Sequence, residues 1–460
     1  MKTVPIPSSH WKGYQKMAFR FAFIFFSLFI VLLDWSVNPV FSYLYYYGYL
    51  SNILDVVISW IGNDLFQLPY VIISPYDGEH NDRTYVYLLY LTLAVVGVVG
   101  AFVWSFLDRN RQNYEVLYYW LTTIIRYYLA FTMFLFALEK FFKMQFPDLG
   151  YYTLTEPVGD MSPMHLAWAF FSYSYGYNIF IGIAESAGLL LLFRRTTTIG
   201  AILTMGTLAN VMAVNYHYDV HAKMYPTALF FMTFFLLLRD AGKIIRFFFT
   251  SQSVSLPVIK APVSQKKWIN IFKIGLKFLV IGFVLLYQLT GYMTYRKQTQ
   301  ERLAAISDYA GLYDVRSFVV NKDTLPLEDP LRWNQLVVGD RMLEAVRFRG
   351  DSIAFASVDI EKKEMIISGE LTDLHTNRQK VYNELGSSDE TYEKMDSILV
   401  ARQLVSSFHF ELVDSTTLFL RGRSKNDSIY ITARRRLMYI NDFRLMKRRF
   451  HWINESYYFY

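Results

Sequence analysis

Apolar residues come in long blocks up to about residue 293, and past residue 300 they give way to short segments in which apolar and polar positions alternate. Seven blocks read as membrane spans, at 17–33, 85–107, 117–142, 178–193, 198–216, 225–238 and 268–293. A crossing helix needs about 20 predominantly apolar residues, so the count is about seven. Residues 53–66 space their apolar positions at helical intervals but are too short to span, which predicts an interfacial helix. Pro147, Gly150, Pro157, Gly159 and Pro163 rule out a continuous helix there, and 165–177 reads as a broken or re-entrant lead-in to the fourth span.

Past residue 300, period-two alternation at 352–360, 408–414 and 428–433 predicts strands, with turns at Gly350-Asp351, Gly422 and Asn426-Asp427. That pattern suits a small antiparallel β domain, either a sandwich or a barrel. The polar insert 379–395 reads as a loop or a short helix. The expected fold is an α-helical polytopic membrane protein with a small C-terminal antiparallel β domain. It divides into a two-span anchor with an outer interfacial segment (1–113), a four-helix membrane core (114–250), a linker with the last span (251–299), and the β domain (300–460).

Composition sharpens this picture. The chain is 53% hydrophobic and 18% aromatic with 18% charged residues, the balance of an integral membrane protein. Its net charge of +7 does not point to nucleic acid, because Lys and Arg gather at cytoplasmic loops for reasons of topology. Lys2, Lys12, Lys16 and Arg20 precede the first span and place the N-terminus in the cytoplasm. Arg109, Arg111, Arg194, Arg195, Arg239, Lys243 and Arg246 mark later inner loops, leaving the β domain outside the cell's inner membrane. The first span lacks a small-residue cleavage site and reads as a retained anchor. Absence of cysteine excludes disulfides, a CxxC pair and thiolate metal sites. The runs Arg434-Arg435-Arg436 and Lys447-Arg448-Arg449 read as solvated strand edges, with anionic headgroups as the alternative.

Polar residues inside the spans carry the candidate chemistry. A charge at mid-bilayer costs about 2.5–3.5 kcal/mol on insertion scales and needs a partner. Arg126 and Glu185 each lie nine residues from the basic end of their spans, so about 13 Å deep. Their equal depth predicts an Arg126–Glu185 pair, either locking helix packing or lining a ligand or proton site. A second group (Glu139, Lys140, Asn215, His217, Asp219, His221 and Lys223) lies near the outer face, with Asn215, Asp219 and Lys223 at i, i+4 spacing. His217-x-Asp219-x-His221 offers two imidazoles to a metal but has no clear third and fourth ligand, so interfacial polarity is the favoured reading. Gly182, Ala184, Ser186 and Gly188 are expected to let helices approach closely. No phosphate loop, nucleophile elbow or metalloprotease motif is present, and no catalytic residue is assigned.

Several signatures together resemble the DoxX-like membrane proteins. These are Arg126-Tyr-Tyr-Leu with Leu138-Glu139-Lys140-Phe141, then Ser162-Pro163-Met164, Gly182-x-x-Glu185 and the turn 194–198. Asn210-Val211, Asn215 and Tyr218-Asp219-Val220 with Lys223 follow in the family order, and 450–455 is similar to the end of members with an extracytoplasmic domain. His221-Ala222 stands where the family has a Pro-containing pair, and His165 where it has Gly, which weakens a shared metal site. The resemblance implies a four-helix membrane core and carries over Arg126, Lys140, Glu185, Asn210, Asn215, Asp219 and Lys223. It also implies an accessory subunit of a membrane redox assembly that binds a small quinone-type molecule, working in the bilayer with other membrane proteins. The rival reading is a non-enzymatic scaffold or assembly factor whose β domain binds an envelope partner. Solute transport is disfavoured, since neither an inverted repeat nor paired broken helices is seen.

Overall fold

The computed structural model describes residues 10–32, 51–69, 72, 82–250, 252–255, 266–329, 332–339, 344–348, 353–359, 361–368, 406–424 and 427–447. It forms two units: Met1–Phe146 with Ser162–Thr294, and Pro147–Met161 with Tyr295–Tyr460.

The first unit is helical: α1 (Gly13–Leu32), α2 (Ser51–Trp60), α3 (Thr84–Leu107), α4 (Glu115–Phe141), α5 (Pro163–Tyr173), α6 (Tyr175–Ser186), α7 (Thr197–His217), α8 (Met224–Leu238) and α9 (Ala241–Phe249). The long helix α10 (Lys267–Ile306) begins in it. A 3₁₀ segment, Ala187–Leu192, continues α6. Among the described residues, six helices are long and apolar enough to cross a membrane: α1, α3, α4, Tyr175–Leu192, α7 and α10. The 15-residue α8 is a shorter apolar helix, so the sequence's sixth block, 225–238, is helical but not of full crossing length.

Helix α4 is the most buried of the six; α6 with its 3₁₀ continuation and α8 pack on it, and α7 packs on the 3₁₀ segment and α8. Helices α1 and α3 pair alongside. The broken lead-in before the fourth span is a true break. Ser162 Oγ caps α5, and Ser174 Oγ caps α6 by accepting from Tyr177 N at 3.2 Å. Buried Asn178 turns its amide back to the carbonyls of Phe171 (2.7 Å) and Ser174 (2.9 Å), satisfying acceptors that the break frees. The interfacial stretch is helical too, as α2 followed by a π-helical turn, Ile61–Leu65.

Arg20 departs from expectation. It lies inside α1 rather than before it, and it is buried. Its guanidinium donates to Tyr114 Oη (2.7 and 2.9 Å), Ser105 Oγ (2.5 Å) and the Asp108 carbonyl (3.1 Å), so it ties α1 to the α3–α4 turn.

The second unit carries nine strands: β1 (Gly311–Val320), β2 (Asp323–Thr324), β3 (Trp333–Val338), β4 (Glu344–Phe348), β5 (Ile353–Asp359), β6 (Glu364–Ser368), β7 (Ser406–Leu412), β8 (Thr417–Ser424) and β9 (Asp427–Arg435). Every pairing is antiparallel between neighbours in order, and β1 also pairs with β9, so the sheet closes into a barrel. The two-residue β2 is a flap on β1. Tyr313, Phe318, Trp333, Leu336, Phe408, Phe410 and Ile431 fill the interior, as expected for a barrel of about eight strands. The segment Pro147–Met161 packs on this unit, with Tyr152 against Leu312 and Val337 and with Tyr151 Oη donating to the Met438 carbonyl at 3.2 Å.

Two strand readings need correction. Gly422 is not a turn residue: it sits inside β8 opposite Phe408, where a Cβ would run into the Ser407 carbonyl and the Phe408 ring. Arg434 to Arg436 are not a free edge either, because β9 pairs with both β8 and β1. Instead Arg435 stacks on Tyr313 and donates to its hydroxyl, while Arg436 grips the Asp314 carboxylate at 2.8–2.9 Å. The insert 379–395, Gly350-Asp351, Asn426 and residues 448–460 lie outside the described residues.

The β7–β8 turn gives a pH prediction. Asp414 accepts from Thr416 N, Thr416 Oγ1 and Thr417 N, and these bonds hold its carboxyl down at about 2. A depressed carboxyl contributes stability above its unfolded value of about 4, and loses it as pH falls toward the folded value. NMR titration should show the Asp414 carboxyl and the Thr416 and Thr417 amides moving together near pH 2. A midpoint near 4 would contradict the turn.

Candidate functional site

The buried charge pair is Lys140 with Glu185. Lys140 Nζ lies 3.0 Å from Glu185 Oε1, and the two side chains are 6% and 0% exposed. Lys140 closes the last turn of α4, where its ammonium also stands over the Phe136 and Phe146 rings at 5.3 and 5.9 Å. Glycines permit the approach. A Cβ on Gly182 would fall 2.6 Å from the Phe141 ring, and one on Gly188 would fall 2.5 Å from Met133 Cβ. Gly182, Glu185 and Gly188 thus share the face that meets α4, as the packing reading of the small residues expected. Glu139, one position earlier, is half-buried and accepts from Tyr292 Oη at 2.9 Å.

The expected Arg126–Glu185 pair is not formed. Arg126 is buried, but its Nε donates to the Leu191 carbonyl at 2.8 Å. Helical geometry explains part of the shift. A 3₁₀ stretch rises about 2.0 Å per residue against about 1.5 Å for α, and Phe193 that follows is extended. That adds only about 3 Å; the rest is register, since Gly188 meets Met133 and Gly182 meets Phe141, which sets Glu185 toward the Lys140 end of α4. The cavity inferred from the Arg126–Glu185 pairing loses that basis.

Only part of the second group assembles: Asn215, Asp219 and Lys223 meet with a member the sequence reading missed, whereas Glu139 and Lys140 bond elsewhere. Helix α7 ends at His217 and Asp219 has a positive φ of 49°, so Asn215, Asp219 and Lys223 do not share one helix. A turn still gathers them. Asn215 Nδ2 donates to the Ala222 carbonyl at 2.8 Å, and Lys223 Nζ pairs with Asp219 Oδ1 at 2.8 Å. That hydrogen bond holds the Asp219 carboxyl below its ordinary value and raises Lys223. The missed member is Asp82. Its carboxylate accepts from Lys223 N (2.9 Å) and Met224 N (3.2 Å) and lies 3.3 Å from Lys223 Nζ. It caps α8 from a distant segment, and the only sequence trace is an acid just ahead of a span. His217 and His221 are exposed, and His217 Nδ1 contacts the Ala213 carbonyl at 2.7 Å. Among the described residues no cluster of three or more His, Asp or Glu is arranged to hold a metal. Asn210 is exposed on α7, away from both groups.

A further opening in the helical unit lies elsewhere. An apolar groove of about 900 Å³ runs between α1, α3 and α8, lined by Phe19, Phe26, Tyr90, Ala94, Ala228 and Phe235 among others. Along α1 it extends from Tyr14 to Phe26, about 18 Å at helical rise. One end is polar, with Gln15, Glu115, Tyr118 and Arg239, and Trp11 Nε1 donates to Glu115 Oε1 at 3.2 Å. Among the described residues the Tyr118 hydroxyl and the Arg239 guanidinium make no hydrogen bond. None of the candidate residues chosen from the sequence lines this groove.

No family model matches the chain, and no solved structure matches it. A curated relative does: over 124 residues the chain is 34% identical to the "Uncharacterized protein YwoB" of Bacillus subtilis (strain 168). The match covers 27% of this chain and 79% of YwoB. At that identity and coverage, the chain belongs to the family of YwoB.

Proposed function

We propose that this chain is a seven-span, DoxX-like membrane protein that binds a small quinone-type molecule as an accessory subunit of a membrane redox assembly. In this reading its N-terminus is cytoplasmic and its barrel extracytoplasmic, at the inner membrane. The observation that carries the ligand class is the groove between α1, α3 and α8. A quinone needs aromatic surface for a flat ring, an apolar track for an isoprenoid tail, and donors for its carbonyl oxygens. Phe19, Phe26 and Phe235 supply the first two, and Tyr118 Oη and the Arg239 guanidinium supply the third. The ligand site thus moves from the charged bundle interior to a flank of it.

Quinone extracted per mole of purified protein should exceed the content of bulk lipid. Tyr118→Phe removes one donor while keeping the ring, and a lost hydrogen bond of about 1–1.5 kcal/mol predicts about a tenfold drop in affinity. Asn210→Ala, at an exposed position of α7 outside the groove lining, should leave retention unchanged. Quinone at bulk-lipid level in the wild type, or retained as in wild type by Tyr118→Phe, would refute the groove assignment.

The scaffold reading has its own support. The barrel interior is filled by side chains, so its available chemistry lies on its outer surface. Deleting 300–460 should then abolish function while quinone retention by the helical unit persists.

A further inference from the structure

Three cations gather at the end of the 3₁₀ segment, and among the described residues none has a carboxylate partner. Arg126 Nε donates to the Leu191 carbonyl at 2.8 Å, and Lys277 Nζ from α10 donates to the next carbonyl, Leu192, at 2.9 Å. Arg194 follows two residues later, its guanidinium over the Tyr119 ring and its Nη2 on the Tyr119 hydroxyl at 3.0 Å. Lys277 Nζ also stands over the Phe193 ring at 5.2 Å. Among the described residues none of the three forms an ion pair. Arg126 is 3% exposed, and its Nη2 is buried without a hydrogen-bond partner.

Capping of the helix end accounts for only part of this arrangement. The carbonyl end of a helix offers about half a negative charge, against three formal positive charges. Each cation uses one or two of its N–H groups, whereas a guanidinium carries five and an ammonium three. Unpaired positive charge away from water is costly, and a buried N–H left open is an unmet donor. A bound anion with several acceptor oxygens would answer both deficits at once.

We propose that Arg126, Arg194 and Lys277 form a binding site for a phosphate-type oxyanion. Guanidinium forks suit tetrahedral oxyanions, and Lys277 adds a point charge from a third helix. The surroundings favour a lipid headgroup as its source, because Trp120, Ile124, Phe193, Ile274 and Phe278 are exposed on the same three segments. The site is separate from the quinone groove and stands without it.

Native mass spectrometry of the full chain released from detergent tests this, with dioleoyl phosphatidylglycerol and dioleoylglycerol as probes. The phosphatidylglycerol adduct should be retained and the dioleoylglycerol adduct should not. Loss of a charge-assisted hydrogen bond predicts about tenfold weaker binding in Arg194→Gln and in Lys277→Gln. Both alter partly exposed side chains, so folding is preserved. Arg246→Gln, on exposed α9, should bind as wild type. Displacement by inorganic phosphate at matched ionic strength would assign the same chemistry to a soluble anion, and resistance to displacement would assign it to the headgroup. Equal retention of the two lipids, or wild-type binding in both variants, would overturn the site.

Discussion

Replacing Glu185 with Ala is expected to destabilise the helical unit by about 3–5 kcal/mol, because removing one partner of a buried ion pair strands the other. The stranded group is Lys140, 6% exposed and otherwise surrounded by the Phe136 and Phe146 rings. The double variant Lys140→Met/Glu185→Leu should recover most of the loss, since apolar replacements of similar volume are often neutral or stabilising. SDS-titration unfolding of wild type, Lys140→Met, Glu185→Leu and the double variant, read as a double-mutant cycle, checks this. Arg126→Met combined with Glu185→Ala should be simply additive, because Arg126 bonds to Leu191 instead. Strong coupling in that second pair, or none in the first, would show the wrong partner has been assigned.

In the barrel, Gly422→Val is expected to be about as damaging. Overpacking a filled site usually costs about 1–3 kcal/mol, occasionally more. Here the obstacle includes the Ser407 carbonyl, part of the β7–β8 ladder, which cannot swing aside as a side chain can. The expected loss is therefore about 3 kcal/mol or more, seen as a lower midpoint for the barrel's near-ultraviolet circular dichroism. Phe408→Ala should not rescue it, since the backbone oxygen remains in the way. Full rescue by Phe408→Ala would mean that the ring alone sets the constraint.

Much of the fold was legible from the sequence because hydrophobic periodicity reports burial directly. Six of the seven spans, the break before α6 and the strands β5, β7 and β9 fall where the pattern put them, while the block at 225–238 is a shorter helix. The partners were harder to read. Depth arithmetic assumed one rise per residue and level helix ends; the 3₁₀ stretch Ala187–Leu192 and the register of α6 on α4 broke both assumptions and put Glu185 against Lys140. Asp82 and Arg20 act on segments far along the chain, through contacts that no local pattern encodes. Gly422 was misread because glycine serves turns and close strand approaches alike. The groove is a shape between three helices, and its lining looks like ordinary core in the sequence.

Closure of the β sheet also sets an order of events during synthesis. Val319 waits for Tyr430, more than a hundred residues later, before its row of backbone groups is met. Until Asp427–Arg435 leaves the ribosome, one side of β1 offers bare amides and carbonyls, an invitation to stray pairing between nascent chains. Premature stop codons between the end of β1 and the start of β9 should thus yield insoluble product rather than a shorter soluble barrel.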